Sequence, residues 1–181
     1  AAAILSWRDM LPHTPASRLL QLASPGFDVS LFEICLPLAL GFAIGSAPKE
    51  LLLTDLERAF WALNITMADL PAALASLLHP SRLPKLEWLM SGGDVIDERV
   101  VQTWATPPQR LINAYGPTEG TIGNTLGFME PGTRRSVVGQ VSPATTLLVL
   151  PANESTPVYA GAIGELVVAG PQVADEYVGA P

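Results

Sequence analysis

The chain has 181 residues, 49% of them hydrophobic, which suits a folded protein with one sizeable core and excludes a disordered one. Its formal charge of -7 argues against a nucleic-acid-binding face and leaves no basic run for anionic lipid. Apolar stretches such as residues 36–44 are broken by Pro37 and Gly41 and fall short of a membrane span, so no membrane partner is expected.

A single cysteine, Cys35, precludes an internal disulfide and fits a reducing, cytoplasmic setting. Within the apolar run 31–40 it reads as a small buried hydrophobe. The first residues carry no initiator Met and no secretory pattern, and the last carry no polar tail, so the chain reads as part of a longer cytosolic protein.

In chain order, residues 1–11 are expected to be weakly helical and to end at Pro12, with His13 in a loop. Residues 18–23 read as a buried strand closed by Ser24-Pro25-Gly26. Ser30 then opens a helix over residues 31–40, with Glu33 at its capping-box position. Residues 41–46 give a second strand, and Thr54-Asp55 cap a helix with Leu56, Phe60 and Leu63 at helical spacing. A third strand (65–68), a helix (70–78) ending near His79-Pro80, and a fourth strand (86–90) follow. The chain then turns at Ser91-Gly92-Gly93-Asp94 into a helix (96–104), and residues 111–115 form a fifth strand.

Strands alternating with helices at this spacing predict an α/β fold, a parallel sheet flanked by helices on both faces. After residue 131 the texture changes to short β runs (136–139, 145–150, 164–169) between Pro- and Gly-rich turns. The expected division is an α/β subdomain over 1–130, holding the substrate and nucleotide site, and a partial β-rich subdomain over 131–181.

The most informative stretch is Asn113-Ala114-Tyr115-Gly116-Pro117-Thr118-Glu119, where a short apolar strand stops at Gly-Pro. A hydroxyl and a carboxylate are left just past its C-terminal end, where ligands sit in open α/β sheets. An aromatic ring, a hydroxyl and an acid there suit a nucleotide and a magnesium ion. The same letters also describe an ordinary turn with Thr118 as a helix cap, and on residues alone the two readings stand about even. Asp28 on its own reads first as a helix cap, with a fixed charge for an ammonium group as the second reading. Gly92-Gly93 is open between a plain turn and a close backbone approach to a ligand.

Tyr115 to Glu119 resembles the Y-G-P-T-E signature of adenylate-forming enzymes, in particular the amino-acid-activating adenylation domains of nonribosomal peptide synthetases. Phe27-Asp28-Val29-Ser30 resembles the family's F-D-x-S motif. Gly164-Glu165-Leu166-Val167-Val168-Ala169-Gly170 with Val173-Ala174 resembles G-E-L-x-x-x-G-x-x-V-A, and the three occur in the family's order. The resemblance implies a flavodoxin-like subdomain of the adenylate-forming fold, ATP and Mg2+ as reactant and cofactor, and phosphopantetheine on a neighbouring carrier domain. It also implies an amino-acid substrate and adjacent carrier and condensation domains as partners.

By the same resemblance, Thr118 would contact the α-phosphate and Glu119 would help hold magnesium. Gly92, Gly93, Asn113, Ala114, Tyr115, Gly116 and Thr118 would line the nucleotide site, with Tyr115 stacking on adenine. Asp28, Val29, Phe32, Asp69, Met90, Gly92, Ala114, Ile122 and Gly123 would form the substrate pocket, Asp28 pairing with the α-ammonium. Two glycines and an alanine would leave that pocket roomy, and Asp69 would accept a hydrogen bond from a polar side-chain terminus. A long modified amino acid such as an N5-acyl-N5-hydroxyornithine, of the kind fungal siderophore synthetases load, is the implied substrate.

The sequence departs from the third motif's usual continuation, with Glu176 before Tyr177 and Ala180 before Pro181. The family's phosphate loop and its catalytic lysine lie outside these residues, so the piece alone is expected to be inactive. Two alternatives share the motifs: an acyl- or aryl-activating ligase, which has no need of Asp28, and a binding or scaffold remnant that has lost its chemistry.

Overall fold

A computed structural model of the chain describes residues 2–151 and 156–179. Ala1 and the Ala180-Pro181 pair, which entered the sequence reading, lie outside them. The first half alternates as expected: α1 (Ala2–Met10), β1 (Arg18–Gln21), α2 (Val29–Leu40), β2 (Ala43–Ser46), α3 (Lys49–Thr54), α4 (Leu56–Leu63) and β3 (Met67–Asp69). It continues with α5 (Ala72–Ala75), β4 (Trp88–Gly92), α6 (Glu98–Trp104) and β5 (Arg110–Tyr115). The strands β6 (Thr125–Met129), β7 (Gln140–Val141), β8 (Thr146–Leu150) and β9 (Glu165–Ala169) complete it.

Seven strands form one sheet in the order β2-β1-β3-β4-β5-β6-β7. The first five are parallel, and β6 and β7 are antiparallel. The sheet is therefore mixed at one edge rather than wholly parallel. β6 escapes the hydrophobic pattern because Gly127 interrupts it. A side chain at 127 would come within 2.8 Å of Gly139 Cα, so the glycine lets the returning chain close on β6. The run expected at 136–139 is not a strand; the pairing falls one residue later, on Gln140–Val141. β8 and β9 make a separate antiparallel pair.

Successive strand residues point to opposite faces, and here both faces are buried. Leu20, Ala68, Leu89 and Leu111 pack with Leu52, Phe60, Val100 and Trp104 on one side. Leu19, Met67, Trp88, Met90 and Ile112 pack with Trp7, Phe32 and Leu36 on the other. This double burial explains the strands' continuous apolar runs.

Helix ends differ from expectation for local reasons. Gly41 takes a left-handed φ of 78° and closes α2, its N–H donating to Pro37 O at 2.9 Å, so β2 starts only at Ala43. The helix expected over 70–78 shrinks to Ala72–Ala75 behind Pro71. His79 accepts from Ser81 N as the cap of a short 3-10 turn, Pro80–Arg82. Cys35 is exposed rather than buried, because it lies on the outer side of α2. Among the described residues no helix is long and apolar enough to cross a membrane.

Candidate active site

The parallel strands leave their C-terminal ends along one edge, and most of the expected site residues gather there. Asp28 follows β1 and caps α2, its carboxylate accepting from Val29 N at 2.9 Å. Asp69 ends β3 and lies opposite Met90 of β4, while Gly92 ends β4 opposite Ala114 of β5. Tyr115 ends β5 with its ring 41% exposed. Beyond it, Thr118 and Glu119 begin a 3-10 turn, Thr118–Gly120, with both residues exposed. Asp28 and Glu119 thus stand on the same sheet edge, with β3 and β4 between their strands.

The acids at the β1 and β3 ends are coupled. Burial pushes the Asp69 carboxyl from an ordinary 3.8 up to about 7, and the nearby Asp28 carboxylate adds to the rise. Glu33 does not form the expected capping box. Its Oε2 instead accepts from Leu22 N at 3.0 Å and Ala23 N at 2.8 Å, tying α2 to the end of β1. Glu33 is 1% exposed and its Oε1 has no hydrogen-bond partner among the described residues. Burial lifts this carboxyl from 4.5 to about 7, against the lowering effect of the two backbone N–H groups and with a small added rise from Asp69.

A carboxyl with a raised folded-state pKa prefers to be protonated in the native protein. Its stabilising contribution is present below its unfolded pKa and is lost as pH rises through about 7. Glu33→Gln, which keeps an acceptor for Leu22 and Ala23, is therefore expected to flatten the fall in stability between about pH 4 and pH 7, a change of about 3 kcal/mol at most. Urea unfolding across that range checks it; an unchanged slope would remove Glu33 as the titrating group.

Two of the expected pocket residues, Phe32 and Gly123, meet one side chain that sequence reasoning did not single out, and three more share its apolar cluster. Trp7 is 1% exposed and meets Phe32 edge-on, ring centroids 5.6 Å apart. Met90, Ala114 and Ile122 belong to the same apolar cluster. A side chain at Gly123 would come within 2.7 Å of Trp7 Cζ2, and one at Gly92 within 2.5 Å of Ala114 O. The space these two glycines leave is thus taken by protein atoms, not left open as the sequence suggested. Phe32 and Met90 are buried, at 1% and 2% exposure, while Val29 is half-buried at the start of α2.

Among the residues expected to line a nucleotide site, Gly93 adopts a left-handed φ of 78°, which accounts for glycine there. Asn113 is buried and spends its amide on Val137 O at 2.9 Å. A side chain at Gly116 would come within 2.7 Å of Asn124 N, so this glycine lets the loop fold back on the strand end. Thr121 and Ile122 both have positive φ, 61° and 72°, a conformation that costs side-chain-bearing residues about 1–3 kcal/mol each.

Residues after β9 hold that loop. Ala174 N donates to Glu119 O at 2.7 Å, and the Tyr177 hydroxyl donates to the Glu119 carboxylate. The hydroxyl lowers the Glu119 pKa and keeps its charge in place. The Glu119 carboxylate suits a magnesium ion that completes its shell with phosphate oxygens and water. Among the described residues no group of three His, Cys, Asp or Glu could hold a metal unaided. The residues present therefore fit a nucleotide-borne magnesium ion and not an all-protein metal cage.

Comparison with known proteins agrees with this arrangement. Residues 1–178 match the family model "AMP-binding enzyme". The chain is 56% identical over 179 residues to the ferrichrome siderophore peptide synthetase of Mycosarcoma maydis, covering 99% of this chain and 4% of that protein. It is 39% identical over 168 residues to nonribosomal peptide synthetase 2 of Gibberella zeae, covering 91% and 3% respectively. The N-terminal subdomain of Klebsiella oxytoca NpsA, solved with 3-hydroxybenzoyl-AMSN, superposes with a TM-score of 0.80 at 26% identity, covering 93% of this chain and 44% of that one. The chain thus spans a small part of its curated relatives and under half of the solved subdomain. With its strand-end motifs, its mixed sheet and a match across nearly its whole length, this chain belongs to the AMP-binding enzyme family.

Proposed function

We propose that this chain is part of an amino-acid-activating adenylation domain of a nonribosomal peptide synthetase. An oxygen of the amino-acid carboxylate attacks the α-phosphorus of ATP, the bond from that phosphorus to the bridging oxygen breaks, and pyrophosphate leaves. The aminoacyl group then passes to the phosphopantetheine thiol of an adjacent carrier domain with loss of AMP, before a condensation domain uses it.

Asp28 holds the α-ammonium, Tyr115 stacks on adenine, Thr118 contacts the α-phosphate and Glu119 holds magnesium. The other nucleotide-side residues are Gly92, Gly93, Asn113, Ala114 and Gly116. Val29, Phe32, Asp69, Met90, Gly92, Ala114, Ile122 and Gly123 shape the space for the amino-acid side chain. Magnesium, when bound, neutralises phosphate charge; the chain's own residues orient the two reactants. We keep the division into an α/β part (1–130) and a β-rich part (131–181), supported by the separate β8–β9 pair, although β7 pairs with the larger sheet.

The observation that carries this reading is the convergence of Asp28, Asp69 and residues 115–119 on the carboxyl edge of one sheet, the edge open α/β sheets use for ligands. A second acid beside Asp28 favours a substrate with a polar far end, and an N5-acyl-N5-hydroxyornithine meets that demand. Asp28 also favours an amino acid over a simple acyl or aryl acid, which brings no ammonium to pair with it. Substrate-dependent pyrophosphate exchange by the full-length protein tests the proposal. Exchange is expected with hydroxyornithine derivatives at least about tenfold above leucine or alanine. Preference for a small aliphatic amino acid would reject the substrate, and exchange with plain carboxylic acids alone would reject the class.

A further inference from the structure

Behind residues 115–119 lies a buried polar knot made by parts of the chain far apart in sequence. Gln172 is 3% exposed. Its Nε2 stands 3.2 Å from Gly120 O, 3.4 Å from Thr121 O and 3.3 Å from Gly123 O, and its Oε1 accepts from Ser142 Oγ at 2.9 Å. The three carbonyls can only accept, so they fix the amide with Nε2 toward the loop, and the Ser142 hydroxyl donates to the oxygen on the other side. The Thr121 hydroxyl donates to the main-chain carbonyl of Gln172. Asn124 adds a bond from Nδ2 to Gly120 O at 3.0 Å and another to Thr145 Oγ1 at 3.1 Å.

These bonds surround the two residues with left-handed backbone, Thr121 and Ile122. Such a conformation persists only where its surroundings over-determine it. Three carbonyls of a five-residue stretch converge on one amide, and that stretch follows Glu119 directly. Without the amide, Gly123 O would lose its donor, Gly120 O would keep only Asn124 Nδ2 and Thr121 O only Gly123 N, and the loop would relax toward ordinary φ values. Thr118 and Glu119 would move with it, because Gly120 N donates to Pro117 O and Thr121 N to Thr118 O across the same turn.

We infer that Gln172 is a positioning residue for the nucleotide half of the reaction: it sets the backbone on which Thr118 and Glu119 stand, without touching either reactant. The inference rests on the adenylation reading above. Of the amino-acid half, Asp28 is fixed by the end of β1 and α2 on the far side of β3 and β4, and only Ile122 and Gly123 belong to the loop that Gln172 holds.

The test uses the full-length protein with Gln172→Met, which keeps the packing volume and removes both polar atoms. The KM for ATP in pyrophosphate exchange is expected to rise about tenfold and the KM for the amino acid by less, about threefold, through Ile122 and Gly123 alone. Hydrogen exchange of the amides in residues 120–124 is expected to speed up about tenfold, with no change at residues 28–32. Should Gln172→Met fail to fold, Ser142→Ala removes only the bond to the amide oxygen and is expected to give the same pattern at about threefold. Unchanged ATP KM and exchange, or both KM values rising equally with faster exchange throughout, would overturn the inference. If the unmodified protein activates no amino acid, the functional reading alone fails, and the exchange of residues 120–124 still decides whether Gln172 orders the loop.

Discussion

Replacing Asp28 by asparagine is expected to lower kcat/KM for amino-acid activation by about 100- to 1,000-fold while leaving the fold intact. The two parts of that expectation have different origins. Asparagine still offers an oxygen to Val29 N, so the start of α2 keeps its cap, and stability changes by only about a few tenths of a kcal/mol. What is lost is the negative charge. An ammonium group brought into a half-dry site beside a neutral amide keeps its desolvation penalty and loses its partner, which amounts to about 2–5 kcal/mol. Pyrophosphate exchange and thermal unfolding, measured on the same preparation, separate the effects. An exchange rate within about threefold of the unmodified protein would remove the ammonium role, leaving Asp28 as a cap.

Trp7→Ala is expected to destabilise the complete adenylation domain by about 3–5 kcal/mol, the range for deleting a fully buried aromatic side chain. The indole packs edge-on against Phe32 and lies against Gly123, and it joins the cluster on the face of the sheet that also holds Met90 and Ile112. The strands cannot slide to fill the void, because the sheet ladder holds them. The same deletion opens space beside Gly123 and Ile122, so among molecules that remain folded the range of accepted amino acids should broaden toward larger side chains. Urea unfolding measures the first effect and a panel of amino acids in pyrophosphate exchange the second. A loss below about 1 kcal/mol would mean that the cluster closes over the gap. An unaltered panel would place Trp7 outside the substrate's reach.

The difference between what the sequence disclosed and what it hid follows the range of the forces involved. Strand ends are punctuated locally, by Ser24-Pro25-Gly26 and by Gly116-Pro117, so the placement of Asp28 and of Thr118-Glu119 past β1 and β5 was readable from neighbouring letters. The alternation of β and α elements was readable for the same reason, since both sheet faces bury apolar residues. Glu33 was legible as an acid near a helix start but not as the partner of Leu22 and Ala23, because that bond depends on how α2 folds back on β1. Trp7 and Gln172 were invisible as site neighbours. Gln172 meets the loop from 49 to 52 residues away, and no spacing rule reaches that far. Glycine at 123 was the one hint of Trp7, and it was read as empty room when it marks a neighbour's edge.

The Tyr177–Glu119 hydrogen bond has a thermodynamic corollary. If Glu119 serves a cation through the oxygen that Tyr177 holds, the phenol and the ion compete for it, and whichever gains weakens the other's hold. Filling the cleft would then loosen the segment after β9, and pinning that segment would discourage filling, by reciprocal amounts. The residues that follow Tyr177 would feel, through one shared oxygen, whether a nucleotide is at home.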